Sequence, residues 1–290
     1  SSRSKERYRS GTRKTYARRV PTNQATRKQR GAWYTPVELT DIVVDRVLEG
    51  FVPRGRVVRV LDPACGDGRF LLAVRDRLRA AAIDCELTGS DVDGDALAAI
   101  DDATIRLVHD DALERDWRDE RFDIVVGNPP FLSQMASTTT RGGASRHGGG
   151  PYADAAVEFL ALAVRLADPG GGRVGLVLPQ SILGARDAGP VRAAVMRNAR
   201  LSWSWWEPRQ KHFDASVNVC ALGFERRTDI GATREHEPWT SVVTDRLGIG
   251  FDALHARNPR LVYTSCPAYP EGHRLADQPG YDALVQASSG

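Results

Sequence analysis

Between residues 57 and 227, short apolar runs alternate with stretches whose apolar residues recur every three or four positions. VVRVLD (57–62), ELTGSDV (86–92), TIRLVHD (104–110), FDIVVGN (122–128) and GRVGLVLP (172–179) read as strands. RFLLAVRDRLRAAA (69–82) reads as a helix with Phe70, Leu71, Val74 and Leu78 on one face, GDALAAI (94–100) as a short one. DAAVEFLALAVRLA (154–167) and VRAAVMRNA (191–199) are two further helices. LSWSWW (201–206) and SVNVCALGFE (216–225) are strands with no helix between them. Seven strands that alternate with helices and close on a hairpin predict an α/β domain: a mostly parallel sheet, helices on both faces and an antiparallel edge. Tryptophan alternating along 203–206 fits sheet packing better than base stacking, although stacking stays open.

Two stretches fall outside that plan. Residues 134–150, QMASTTTRGGASRHGGG, follow a strand end and read as a surface loop or as a functional loop over a site. Residues 229–290 have scattered Pro and Gly, and only WTSVVTDRLGI and GYDALVQ look ordered. The domain plan is therefore an arm (1–30), a catalytic α/β unit (31–228) and a C-terminal extension (229–290). The first residue is not Met and the last four are ASSG, so the chain is expected to be a piece of a longer protein.

Charge changes the picture of the arm. The chain carries 40 Lys+Arg and 37 Asp+Glu. Residues 1–30 hold eleven basic residues and one acid, so the rest carries 3 − 10 = −7. Such a block reads as a solvated tail, and it can also contact a polyanion through counterion release. Arg18 and Arg19 in the arm, and Arg141 and Arg146 in the glycine loop, are candidate phosphate contacts. The start lacks an apolar signal core and no apolar run reaches membrane-spanning length, so a cytoplasmic protein is expected. Cys65, Cys85, Cys220 and Cys266 show no CxxC or ligand spacing, so neither a metal site nor a disulfide framework is indicated.

In an open parallel sheet, ligands bind outside the carboxyl ends of the strands. The first strand ends in LDPACGDGRFLL, which brings Asp62, Ala64, Cys65, Gly66 and Gly68 to one turn. The glycines permit positive φ and close backbone approach, and the acid suits an ammonium group better than a pyrophosphate. A tight structural turn is the alternative, and Cys65 reads as a packing residue. The second strand ends at Asp91, an acceptor for ribose hydroxyls, with Val92 beside it to pack on a purine. Asp93 and Asp95 are better helix caps than Asp91. At the third strand end, Asp110 or Asp111 can accept from an exocyclic amine. An ammonium acceptor, a ribose acceptor and an amine acceptor together describe S-adenosylmethionine.

The fourth strand runs into GNPPF (127–131). The side-chain carbonyl of Asn128 and the backbone carbonyl of Pro129 can accept both hydrogens of a planar amino group. Pro129 and Pro130 stiffen the corner and remove N–H donors. Phe131 offers a ring face for stacking. Holding both hydrogens draws the nitrogen toward tetrahedral geometry, so that alignment and electrostatics carry methyl transfer and no strong base is needed.

DPACGDGRF followed about 60 residues later by NPPF resembles the adenine-N6 class of amino-group DNA methyltransferases. The likeness runs from Gly31 to about Arg227. It implies a Rossmann-like class I methyltransferase fold, S-adenosylmethionine as cofactor, DNA as substrate with the target base flipped, and a setting such as restriction-modification. It further implies that Thr35, in GAWYTPVELTDIVVD, helps hold the methionine end of the cofactor. Asp111 and Ala112 would lie at the cofactor's adenine, and Phe224, in SVNVCALGFERR, would pack on the flipped base together with Phe131. Relatives with this motif order carry a target-recognition domain after the catalytic one. Residues 229–290 would be its beginning, or a separate specificity subunit would supply recognition. Competing readings are a release-factor-type protein glutamine methyltransferase, an RNA adenine or DNA cytosine-N4 methyltransferase, and a DNA-binding subunit without turnover.

Overall fold

The computed structural model describes residues 35–54, 57–131, 147–148, 154–183, 185–205, 219–227 and 251–258. The arm with Arg18 and Arg19, the loop with Arg141 and Arg146, WTSVVTDRLGI, GYDALVQ and residues 206–218 lie outside the described residues. In chain order the elements are α1 (Val37–Leu48), β1 (Val58–Asp62), α2 (Arg69–Ala80), β2 (Cys85–Asp91), α3 (Gly94–Ala98), β3 (Ile105–His109) and β4 (Ile124–Gly127). Then follow α4 (Ala155–Leu166), β5 (Arg173–Pro179), α5 (Gly189–Asn198), β6 (Ala199–Trp205), β7 (Val219–Arg226) and α6 (Phe251–Arg257). No helix among the described residues is long and apolar enough to cross a membrane.

The strands form one seven-stranded sheet in the order β3-β2-β1-β4-β5-β7-β6. Neighbours from β3 to β5 are parallel, while β7 runs antiparallel to both β5 and β6. Both faces are covered, and the strand sequences show why. On β4, Val125 faces one core while Ile124 and Val126 face the other. On β5, Val174, Leu176 and Leu178 share the first face and Val177 the second. Strands buried on both sides need apolar residues at both parities, which is the run the sequence carries. Helices α4 and α5 cover the first face, α1 and α2 the second.

α1 buries Leu39, Thr40, Val43, Val44 and Val47, a three-to-four spacing that begins directly after Pro36. Its last carbonyls, which have no partner inside the helix, are met from β5: Arg173 donates to Val47 O, Glu49 O and Gly50 O at 2.8–2.9 Å. α1 therefore leaves the carboxyl end of the sheet at Thr35 and is fixed at the opposite end by the start of β5.

Trp203 packs against the sheet, as its alternation implies. It lies over two glycines that leave room for it: a Cβ at Gly223 would sit 2.0 Å from Trp203 Nε1, and one at Gly175 would sit 3.2 Å from Trp203 Cζ2. Gly223→Ala is therefore expected to displace the indole and lower stability by about 1–3 kcal/mol, the usual cost of overpacking. Urea unfolding measures it. Combined with Trp203→Ala, the loss should fall well short of the sum of the two single changes.

Candidate active site

The order reverses direction between β1 and β4, so the crevice above their carboxyl ends is where a ligand binds in such a sheet. The turn after β1 has two left-handed glycines, Gly66 (φ 50°) and Gly68 (φ 75°). A Cβ at Gly66 would meet nothing within 4 Å, so the backbone there is open to close approach. Backbone bonds fold the turn over the end of β2: Cys65 N donates to Ser90 O at 2.9 Å and Gly68 N to Cys65 O at 2.8 Å. Cys65 is buried with its thiol against Gly89, where a Cβ would lie 2.8 Å from Sγ. Burial, and then the charges of Asp62 and Asp91, push that thiol up, so it is an inert packing group.

Asp62 is 1% exposed. Its Oδ1 accepts from Ala64 N at 3.1 Å. Burial raises its carboxyl well above the ordinary carboxylate value; the Ala64 amide opposes this, and the charges of Asp91 and Asp67 add to it. No cation among the described residues joins these influences. A positively charged group placed beside this buried acid would offset the cost of ionising it.

The folded carboxyl holds its proton to higher pH than the unfolded one, whose ordinary value is 3.8, so Asp62 makes the ligand-free protein less stable as pH rises from about 4 through the raised value. Asp62→Asn keeps the acceptor for Ala64 and removes the charge. It is expected to raise the melting temperature at pH 7. It should also flatten the pH dependence. Melting curves of both proteins from pH 4 to 8 measure this; identical curves would mean that Asp62 stays ionised without strain.

Asp91, at the end of β2, uses both oxygens for backbone. Oδ2 accepts from Gly66 N at 2.7 Å and Oδ1 from Asp93 N at 2.8 Å, so it joins the β1 turn to the start of α3. A carboxylate oxygen carries a second lone pair, so these bonds leave Asp91 able to accept from a ligand as well. Asp93 is the helix cap, accepting from Asp95 N and Ala96 N. Val92 stands 55% exposed beside Asp91. Asp111 caps its own turn, with Oδ1 accepting from Leu113 N at 2.9 Å.

Ala112 and Phe224 are both core residues, and for Phe224 this corrects the expectation. Ala112 is 2% exposed and packs in the core, and its carbonyl accepts from Trp117 Nε1 at 2.8 Å. Its methyl is covered by protein. Phe224 is fully buried and pairs with Val174, near the start of β5, whereas the carboxyl end of β5 pairs at Pro179 with Val219. Five residues of strand, about 17 Å, separate Phe224 from the crevice. Its side chain shares a face with Cys220 and Leu222 and is a core residue.

The GNPPF corner follows β4 directly. Gly127 lies against Asp62: a Cβ there would be 2.6 Å from Asp62 Oδ1. Asn128 is half-buried, Pro129 buried, and Phe131 half-buried where the two cores meet. Asn128 Nδ2 donates to Thr35 Oγ1 at 2.9 Å. Thr35, 6% exposed, is held in turn by Arg69, whose guanidinium donates to Thr35 O and pairs with Asp67 at 2.9 Å. Neither Arg69 nor the Thr35–Asn128 bond was expected. One signal was present: a cation at the first residue of a helix opposes the helix dipole and calls for a local reason.

With this geometry in hand, comparisons with known proteins assign a family. Residues 20–235 match the N-6 DNA methylase family. The type II methyltransferase M.BanIII of Aneurinibacillus aneurinilyticus is 30% identical over 133 residues, 36% of this chain and 22% of that protein. The methyltransferase subunit of a type I restriction-modification system from Streptococcus thermophilus shares the fold, with a TM-score of 0.55 and 19% identity over 67% of this chain and 45% of that one. The C-terminal stretch is similar to something else. Residues 236–290 match CoA-transferase family III. Acetyl-CoA:oxalate CoA-transferase of Acetobacter aceti is 46% identical over 77 residues, 27% of this chain and 19% of that enzyme. The chain thus spans about a fifth of the length of each of these two curated relatives. The match over 20–235 covers most of the chain and all of the described sheet, and the chain belongs to the N-6 DNA methylase family.

Proposed function

We propose that the chain carries the catalytic unit of an S-adenosylmethionine-dependent, adenine-N6-specific DNA methyltransferase of restriction-modification type. One observation carries this reading: Asp62, a buried carboxylate on which no cation among the described residues acts, touches Gly127 at the head of the Asn128–Phe131 corner. An acceptor for a cationic cofactor and an acceptor for a planar amine therefore adjoin.

The donor set fits S-adenosylmethionine. Asp62 suits its positive charge, open backbone at Gly66 allows close approach, Asp91 and Asp111 accept hydrogen bonds, and exposed Val92 offers an apolar surface. When bound, the cofactor supplies an electrophilic methyl group on a sulfonium. The chain's own part lies at the corner. The amide nitrogen of Asn128 donates to Thr35, so its carbonyl end, with the Pro129 carbonyl, accepts the two amino hydrogens of the base. Those bonds hold the lone pair of N6 out of the ring plane and toward the methyl. The proton left on nitrogen after transfer departs to solvent, so no basic side chain is required. Phe131 gives the base a ring to stack on. A base inside a duplex reaches this corner only by flipping out, which costs a few kcal/mol and is offset by stacking on Phe131 and by the hydrogen bonds to the corner.

The catalytic unit runs from 31 to about 228 and stops before the stretch that resembles a CoA-transferase. Arg18, Arg19, Arg141 and Arg146 would contact DNA phosphates without reading sequence. Recognition would come from a specificity subunit or from a region beyond this sequence, in a cytoplasmic setting.

The test is nucleoside mass spectrometry of mixed-sequence duplex DNA after incubation with the protein and S-adenosylmethionine. N6-Methyladenine is the expected product; N4-methylcytosine, or methylated RNA or protein with unmodified DNA, would overturn the reading. Asp62→Asn should also abolish the thermal stabilisation that S-adenosylmethionine gives the wild type.

A further inference from the structure

We propose that Thr35 is a positioning residue for Asn128, and that Arg69 holds Thr35 in place from the turn after β1. This rests on Asn128 being the acceptor of the target amine.

A side-chain amide has two ends of nearly equal size, and only its oxygen can accept hydrogens from a base. A corner built on Asn128 works only if the amide is held in place. Asn128 Nδ2 donates to Thr35 Oγ1 at 2.9 Å, across 93 positions of sequence. The hydroxyl belongs to a residue 6% exposed, so water is a poor substitute for it. Thr35 is itself constrained. Pro36 follows it, which restricts its backbone to extended conformations and starts α1. Its carbonyl accepts from the guanidinium of Arg69, which also bonds Asp67. Arg69 stands at the first residue of α2, where the helix dipole disfavours a cation; these two partners supply the reason for its place.

A continuous chain of bonds therefore runs Asp67–Arg69–Thr35–Asn128. It joins the turn containing Gly66 and Gly68 to the corner after β4. Thr35 acts on the reaction through Asn128, in contrast to the cofactor-holding role that the family resemblance implies.

The test compares Thr35→Val, which keeps the shape and removes the hydroxyl, with Thr35→Ser, which keeps the hydroxyl. Three quantities are read: the single-turnover rate of N6-methyladenine formation at saturating S-adenosylmethionine, the Kd for that cofactor by calorimetry, and hydrogen exchange of the Asn128 side-chain amide in [15N]asparagine-labelled protein, its signal identified by loss in Asn128→Ala. Thr35→Val is expected to slow transfer about tenfold or more, equivalent to one hydrogen bond of roughly 1.4 kcal/mol. Its Kd should stay within about twofold, and its Asn128 amide should exchange faster. Thr35→Ser should recover most of both losses. Should Thr35→Val fail to fold, Arg69→Gln reads out the same way, with a smaller loss of rate. A weaker Kd with an unchanged saturated rate would overturn the proposal and return Thr35 to the cofactor. Amide exchange unchanged in Thr35→Val would overturn it as well, by showing that the bond does not hold in solution. If the wild type methylates no DNA, the exchange measurement still decides the Thr35–Asn128 contact, and the reading of the substrate is what fails.

Discussion

Asn128→Ala is expected to lower the single-turnover rate of methyl transfer about 10²–10³-fold, the usual effect of deleting one pre-aimed polar group from an active site. Two features of the corner set that size. The amide is held from behind by Thr35, so it is already in place before a base arrives. Its neighbours Pro129 and Pro130 have no N–H that could rotate into its place. On the proposed role of Asn128 at the target amine, the Kd for S-adenosylmethionine should change by less than about threefold, well under the loss in rate. Asn128→Asp separates geometry from charge: it keeps an acceptor but adds an anion near Asp62, and should fall between alanine and wild type. An Asn128→Ala protein that methylates at more than about a third of the wild-type rate would remove Asn128 from the reaction, since so small a change is below one hydrogen bond.

The sheet was legible because its signal is local and repeated. The central strands β1, β4 and β5 are apolar at the parities that the two cores require, and the helices between strands carry a three-to-four period, so the expected runs from β1 to β7 and the observed elements differ only at their ends. α1 carries the same kind of signal at positions 39, 43, 44 and 47 behind Pro36 and was equally open to reading. Phe224 shows the limit of a motif set against a period. Likeness to the family assigned it to the target base, whereas alternation along β7 puts it in one row with Cys220 and Leu222, and alternation was the better guide. The glycine turn, Asp62 and Asp91 were legible as strand ends. The Thr35–Asn128 bond was not, because the two residues are 93 positions apart and meet only once α1 is laid along the sheet. Gly127 was equally opaque: nothing in GNPPF says that its first residue lies against a carboxylate 65 positions earlier.

That contact makes Gly127→Ala the most disruptive single methyl group in the crevice. The added carbon would sit 2.6 Å from Asp62 Oδ1 and 3.2 Å from the carboxyl carbon. Asp62 has little room to move, being 1% exposed, held by the Ala64 amide and followed by Pro63. Either the carboxylate shifts or the corner does. Overpacking of this kind lowers stability by about 1–3 kcal/mol. On the proposed reading of Asp62, a shifted carboxylate would weaken S-adenosylmethionine binding about tenfold or more, the equivalent of ~1.4 kcal/mol. A shifted corner slows transfer even at saturating cofactor, by about 10²-fold for a displacement near 1 Å. Urea unfolding, calorimetry with S-adenosylmethionine and single-turnover methylation separate the three. The double substitution Gly127→Ala with Asp62→Ala identifies the cause. If the clash is with the carboxylate, removing it restores most of the lost stability and none of the cofactor affinity, a strong non-additivity in one quantity only. Wild-type binding and rate in Gly127→Ala would show that Asp62 has space to spare and that the two halves of the site are not in contact in solution.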